Sequence, residues 1–247
     1  MRGMWEERLR WALLVLFFVS FSLSVAVQQT LLGLLLAFAG YMMWRRKNFP
    51  ASPLDRPLLV FLTALLLSTF LSPAVWPSLA GYRKLWLVGA FFVIYHLVRN
   101  PQEGQRLVFF MVITAVAVAA YGIVQHFTGI DLAKQLVGKK PTLTPIWFDQ
   151  DEGFRSKGLS PSSITYAHSL VFPLTFLTVR LFVPDFRWPE RLLWLGGWGL
   201  MIFALLFSLT RGVWLAYLVV LGVLGVVKGG RAVFAVGACG VLLGVFL

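Results

Sequence analysis

The chain has 247 residues, of which 59% are apolar and only 13% charged, and its mean hydropathy is +0.80. A soluble domain of this length is about half apolar and one-quarter charged, so composition excludes a water-facing globule and makes lipid the solvent. The formal charge of +12 must then lie mostly at membrane boundaries. A single cysteine, Cys239, excludes a disulfide framework and a cysteine-based metal site within the chain.

The first apolar run, Trp11 to Trp44, has 34 residues without a charge. As one helix it would be about 51 Å long, against about 30 Å for a bilayer core. Two helices are therefore expected, Trp11 to Val27 and Leu31 to Trp44, with Gln28, Gln29 and Thr30 at the turn and both outer ends on one side. Further spans are expected near Leu58 to Ala74, Leu85 to Val98, Leu107 to Gln125, Thr165 to Val183, Leu192 to Leu209, Val213 to Val227 and Ala232 to Leu247. The sequence thus predicts an all-α bundle of about nine transmembrane helices, read as one domain over residues 1–247. Its apolar run extends to the last residue, so the chain is expected to be the N-terminal part of a longer protein or a naturally truncated copy.

With nine spans, 14 of the 22 Lys and Arg residues fall on the N-terminal side, which the positive-inside rule makes cytoplasmic. A single first helix would leave the basic residues evenly split, so charge as well as length favours the hairpin. The long interval Thr128 to Ser163 then lies outside, on the extracytoplasmic side of the membrane. Its Pro141, Pro145, Gly153, Gly158 and Pro161 argue against one continuous helix.

Eight basic residues lie on the outer side: Arg83, Lys84, Lys134, Lys139, Lys140, Arg155, Lys157 and Arg211. Arg83, Lys84, Arg155 and Arg211 each adjoin a span, where a charge costs free energy unless it reaches water or a partner. Arginine forks suit phosphate oxygens, and lysine supplies a point charge. Such a set fits a lipid-linked phosphate or diphosphate and can stabilise a diphosphate as it leaves. His126 and His168 flank the outer interval and suit sugar binding or acid-base work. His96 reads as structural. The acids Asp149, Asp151 and Glu152 read as solvent-facing, and no metal-ligand spacing or phosphate-binding glycine loop is present.

Several segments carry a resemblance. Phe154 to His168, Ser208-Leu209-Thr210-Arg211-Gly212-Val213-Trp214-Leu215-Ala216 and Tyr121-Gly122-Ile123-Val124-Gln125 resemble, in that family's order, segments of the bacterial O-antigen ligase and polymerase family. Leu71-Ser72-Pro73 with Arg83-Lys84 matches more loosely. The resemblance implies an inverting glycosyltransferase that takes a glycan from undecaprenyl diphosphate and needs no metal or other cofactor. The acceptor would be lipid A-core in a ligase or another lipid-linked glycan in a polymerase. It implies Arg155 and Arg211 as diphosphate contacts and, with His168, as catalytic candidates. Arg83, Lys84, Lys157 and His126 are the substrate-binding candidates. The partners implied are lipids and lipid-linked glycans, not nucleic acid. A transporter or flippase is the competing expectation, disfavoured because charges are confined to boundaries and a transport path needs them at mid-membrane.

Overall fold

In a computed structural model the described residues are 2–46, 52–73, 75–76, 82–135, 138, 143, 145–148, 151–181 and 188–228. The ninth expected span, together with Cys239, Lys139, Lys140 and Asp149, lies outside them. Eight α-helices are described: α1 (Arg2–Ser20), α2 (Val25–Arg46), α3 (Asp55–Phe70), α4 (Gly89–Leu97), α5 (Pro101–Thr128), α6 (Ser163–Leu181), α7 (Trp188–Phe207) and α8 (Arg211–Lys228). A 3-10 segment, Tyr82–Val88, leads into α4, and a single helical turn, Leu132–Gln135, follows α5.

Among the described residues four stretches are long and apolar enough to cross a membrane: Val25–Arg45, Pro101–Thr128, Ser163–Leu181 and Glu190–Phe207. Leu85–Leu97 and Arg211–Val227 are apolar but shorter. Large apolar side chains face outward on several helices. Leu59, Val60 and Phe70 on α3 are exposed, as are Leu215, Val219 and Val223 on α8. In water such surface would drive aggregation; in lipid it is the ordinary exterior of a helix.

The break in the first apolar run is not where composition put it. Gln28, Gln29 and Thr30 lie inside the first turns of α2, and the chain turns instead at residues 21–24. Glutamine is a good helix former, and the Thr30 hydroxyl is satisfied within the helix by the Ala26 carbonyl at 3.0 Å. The serine-rich stretch Ser20 to Ser24 competes with helical pairing; there the Ser20 carbonyl accepts from the N–H groups of both Leu23 and Ser24.

The chain, read from sequence as one domain, packs as two compact units: residues 1–17 with 26–107, and residues 18–25 with 108–247. In the first unit Leu14, Leu35, Val93 and Leu107 are fully buried. Gly89 lets α4 lie close to α2, since a Cβ there would meet the Leu36 side chain at 2.8 Å. The hairpin expectation stands at its open end, where Arg45 near the end of α2 pairs with Glu6 near the start of α1.

An ionic cluster ties the same end of this unit together. Arg10 is 3% exposed. It donates to Glu103 at 2.8 and 3.1 Å, to Glu7 and to the carbonyl of Leu97. Glu103 is held in turn by the start of α5: Asn100 accepts its backbone N–H at 2.8 Å, Pro101 occupies the first helical position, and its carboxylate accepts the Arg99 N–H at 3.0 Å. The sequence Asn-Pro-Gln-Glu is thus a helix start whose acid also closes an ion pair.

The second unit is built from α5, α6, α7 and α8 around Ala115, Ala119, Tyr166, Leu170, Leu174, Met201 and Ala204, all fully buried. The Thr178 and Tyr217 hydroxyls lie 2.7 Å apart, and the Trp198 indole N–H reaches both, at 3.1 and 3.0 Å. Polar groups of three helices thereby satisfy one another in an apolar setting, as interhelical contacts in lipid require. An antiparallel hairpin, β1 (Pro145–Phe148) and β2 (Asp151–Phe154), pairs Pro145 with Phe154 and Phe148 with Asp151. It is the one departure from helix among the described elements, and no continuous helix runs through the interval.

Removing Arg10 leaves two carboxylates and a carbonyl without their shared donor. Arg10→Leu should destabilise the first unit by about 3 kcal/mol, the lower end for breaking a buried pair because both carboxylates reach water, seen as a lowered Tm in detergent. The Arg10 hydrogen bond holds the Glu7 carboxyl below its usual pKa. Its contribution is therefore present above the ordinary carboxylate pKa and lost as pH falls through the lowered value, so the gap in Tm between wild type and Arg10→Leu should close in acid.

Candidate functional site

Two polar side chains one turn apart on α5 fasten both ends of the outer interval. Gln125 is fully buried. Its Oε1 accepts the N–H groups of Lys157 and Gly158 at 3.0 and 2.9 Å, and its Nε2 donates to the Gly158 carbonyl and to the Tyr121 hydroxyl, both at 3.2 Å. The Tyr121 hydroxyl accepts the Leu132 N–H at 2.8 Å and donates to the Ile130 carbonyl at 3.1 Å. The i, i+4 spacing puts both groups on one helix face, so the chain leaving α5 and the chain returning to it are held by adjacent side chains.

The returning strand is seated by glycines. Tyr166 is fully buried between Gly122 and Gly158; a Cβ on Gly122 would meet its Cζ at 2.8 Å, and one on Gly158 its Cε2 at 2.6 Å. Gly158 also has φ +55°, a conformation open to glycine at little cost. Between these contacts the Ser156 hydroxyl donates to the Gly122 carbonyl at 2.7 Å.

The same strand completes the corner between α7 and α8. A helix leaves its last four carbonyls without intrahelical partners. Here the Leu205 carbonyl accepts the Ser208 hydroxyl at 2.6 Å and the Trp214 indole at 2.9 Å, and the Phe207 carbonyl accepts the Ser156 N–H at 3.1 Å. Arg155 supplies the rest: Nε donates to the Ser208 carbonyl at 2.7 Å, and Nη2 to the Leu209 carbonyl at 3.2 Å and the Thr210 hydroxyl at 3.4 Å. A cation at a helix C-terminus is also favoured by the helix dipole. Leu209 has φ +50°, a left-handed conformation that costs a leucine of order 1 kcal/mol or more and that these bonds hold in place.

Arg155 spends one edge of its guanidinium on this corner, and its Nη1 has no hydrogen-bond partner among the described residues. Arg211 is the first residue of α8, is exposed, and follows directly on Thr210, which Arg155 contacts. A positive side chain at the positive end of a helix is unfavourable until an anion arrives. The structure thus brings Arg155 to the segment that carries Arg211.

The other candidates separate. Lys157 is not an exposed cation: its Nζ lies 2.6 Å from Asp131 Oδ2, and the two residues are 5% and 0% exposed. Asp131, an acid near the start of the outer interval, is its buried partner. His126 is half-buried beside the strand, with Nδ1 2.7 Å from the Phe154 carbonyl. His168 is exposed on α6, with Nδ1 2.7 Å from the Ile164 carbonyl of its own helix. Arg83 and Lys84 belong to the first unit, on the 3-10 segment, and their side chains are outside the described residues. Among the described residues no cluster of three or more His, Cys, Asp or Glu could hold a metal ion. Gln125 is the residue whose role sequence reasoning missed; a glutamine closing an otherwise apolar span was the available signal, since a buried amide requires partners.

Searches of protein-family models, curated proteins and solved structures find nothing that matches this chain.

Gln125→Leu should leave two buried N–H groups and a carbonyl unpaired, at about 1–3 kcal/mol for each orphaned group, and should release the returning strand. Faster proteolysis within 154–160, with the helices intact by circular dichroism, is the expected result. Gly122→Ala should lower Tm, with overpacking worth about 1–3 kcal/mol, and Tyr166→Phe in the same chain should recover part of that loss because the hydroxyl is the nearest atom to the new methyl.

Proposed function

We propose that this protein is a membrane glycosyltransferase of the O-antigen ligase type. In this reading it transfers a glycan from undecaprenyl diphosphate to a lipid A-core or glycan acceptor at the periplasmic face of the inner membrane. About nine spans, a cytoplasmic N-terminus and a periplasmic interval 128–163 belong to the same proposal. The observation that carries it is the cationic corner. Arg155, from one of the resembling segments, hydrogen-bonds the backbone of Ser208 and Leu209 in another, next to exposed Arg211 at the start of α8. The third such segment supplies Tyr121, Gly122 and Gln125, which seat the strand bearing Arg155.

Glycosyl transfer with inversion needs an acceptor hydroxyl to attack the anomeric carbon while the diphosphate departs from the opposite face. Charge grows on the departing oxygen, and donors fixed in place before the reaction stabilise it without reorganisation. Arg155 is fixed by its bonds to the corner and keeps Nη1 for such a charge, while Arg211 and the N-terminal N–H groups of α8 add positive potential. The polyprenyl chain stays among the apolar helices, which explains why a diphosphate site belongs at the membrane boundary.

Arg211 gives the cleaner test, because it is exposed and its loss should change stability by no more than about 0.5 kcal/mol. Arg211→Ala should slow glycan transfer from undecaprenyl diphosphate in proteoliposomes about 100- to 1000-fold. Arg211→Lys should also be impaired, since the planar fork is lost while the charge remains. Wild-type rates from both variants would refute the diphosphate assignment.

A further inference from the structure

One end of the first unit holds more positive charge than its acids can use. The start of α1, the end of α2 and the start of α5 meet there, joined by Glu6–Arg45 and by Arg10–Glu103. Glu6, Glu7 and Glu103 are the acids of this end among the described residues, and each is already engaged. Arg45 holds Glu6, Arg10 holds both Glu7 and Glu103, and Arg99 Nη2 lies 2.7 Å from the second carboxylate oxygen of Glu7. Two arginines are left over. Arg8 adjoins Glu7 on α1, and Arg106 stands one turn beyond Glu103 on α5. Both are exposed, and neither makes a hydrogen bond or ion pair among the described residues.

The buried Arg10 clamp sets the backbone that carries these two cations, because it binds α1 to α5 through Glu103 and to the end of α4 through the Leu97 carbonyl. The surface beside Arg8 is apolar. At helical spacing Met4, Trp5, Arg8, Leu9, Ala12 and Leu16 share one side of α1, and all six are exposed. Toward its N-terminus that side therefore presents first aliphatic groups, then a cation, then an indole. A lipid leaflet has the same sequence of hydrocarbon, phosphate and interface, and tryptophan settles at headgroup level. A free phosphate would use the cations and leave the apolar side uncovered, whereas a phospholipid matches both.

We propose that Arg8 and Arg106 hold anionic phospholipid headgroups against this end of the first unit, with acyl chains lying along Leu9, Ala12 and Leu16. The attraction is one of charge, worth about as much from lysine as from arginine, and it is weakened by salt. It uses no residue of the cationic corner, so it stands apart from the glycosyltransferase reading.

The test titrates the purified full chain in neutral detergent with phosphatidylglycerol, or with phosphatidylcholine of the same acyl chains, and reads bound lipid by native mass spectrometry. Wild-type protein should retain phosphatidylglycerol in preference to phosphatidylcholine. The double variant Arg8→Gln, Arg106→Gln should bind it about 30-fold more weakly, roughly fivefold for each basic residue lost. Arg8→Lys with Arg106→Lys should keep the wild-type preference, which separates lost charge from lost folding. Arg191→Gln, at an exposed arginine of the second unit, should change nothing. No preference for the anionic lipid, unchanged binding by the glutamine pair, or an equal loss from the lysine pair or from Arg191→Gln would each overturn the proposal. Displacement of the lipid by an equal concentration of inorganic phosphate would also overturn it, by assigning the site to a free anion.

Discussion

The second unit depends on finding partners for the backbone carbonyls where α7 ends. Water satisfies such groups where they are exposed, but where burial excludes it, as at Ser208, each unpaired carbonyl costs about 1–3 kcal/mol. The chain meets this with a strand from elsewhere in the sequence. The Ser156 N–H takes the Phe207 carbonyl, and Arg155 takes those of Ser208 and Leu209. The path of the strand, the left-handed Leu209 and the place of Arg211 all follow from that need. What fastens the strand at its other edge, through Gln125 and Ser156, is the same principle applied to α5.

A consequence is that Arg155 has two duties. Its Nε–Nη2 edge belongs to the fold, and its Nη1 is left for the anion of the proposed reaction. A residue with both duties is a poor place to separate stability from chemistry, whereas Arg211, whose side chain makes no hydrogen bond or ion pair among the described residues, separates them well. The Lys157–Asp131 pair is the opposite case: two buried charges that face each other inside the fold.

Much of the architecture was legible because apolar length and charge placement are one-dimensional properties. Seven of the expected spans coincide with described helices or lie within a few residues of them, and the Glu6–Arg45 pair agrees with a folded-back first run. The turn in that run was misplaced because polarity was taken as the signal, although glutamine continues a helix and serine interrupts it. The site was legible in part. Arg155 and Arg211 stand out as charges beside spans, but that one binds the backbone preceding the other is a contact across more than 50 residues of sequence. The burial of Lys157 was hidden for the same reason: Asp131, 26 residues earlier in the chain, looks like any loop acid until the two ends of the interval are brought together.

That closure has an evolutionary side. Because Tyr121 and Gln125 are neighbours on one helix, the chain leaving at Leu132 and the chain returning at Lys157 are fixed independently of what lies between them. Closing a longer excursion between two such posts adds entropy only as the logarithm of its length, roughly 0.6 kcal/mol per doubling. Lengthening or replacing the stretch between Gln135 and Gly153 should therefore cost little in closure entropy while the posts, the corner and the bundle stay the same.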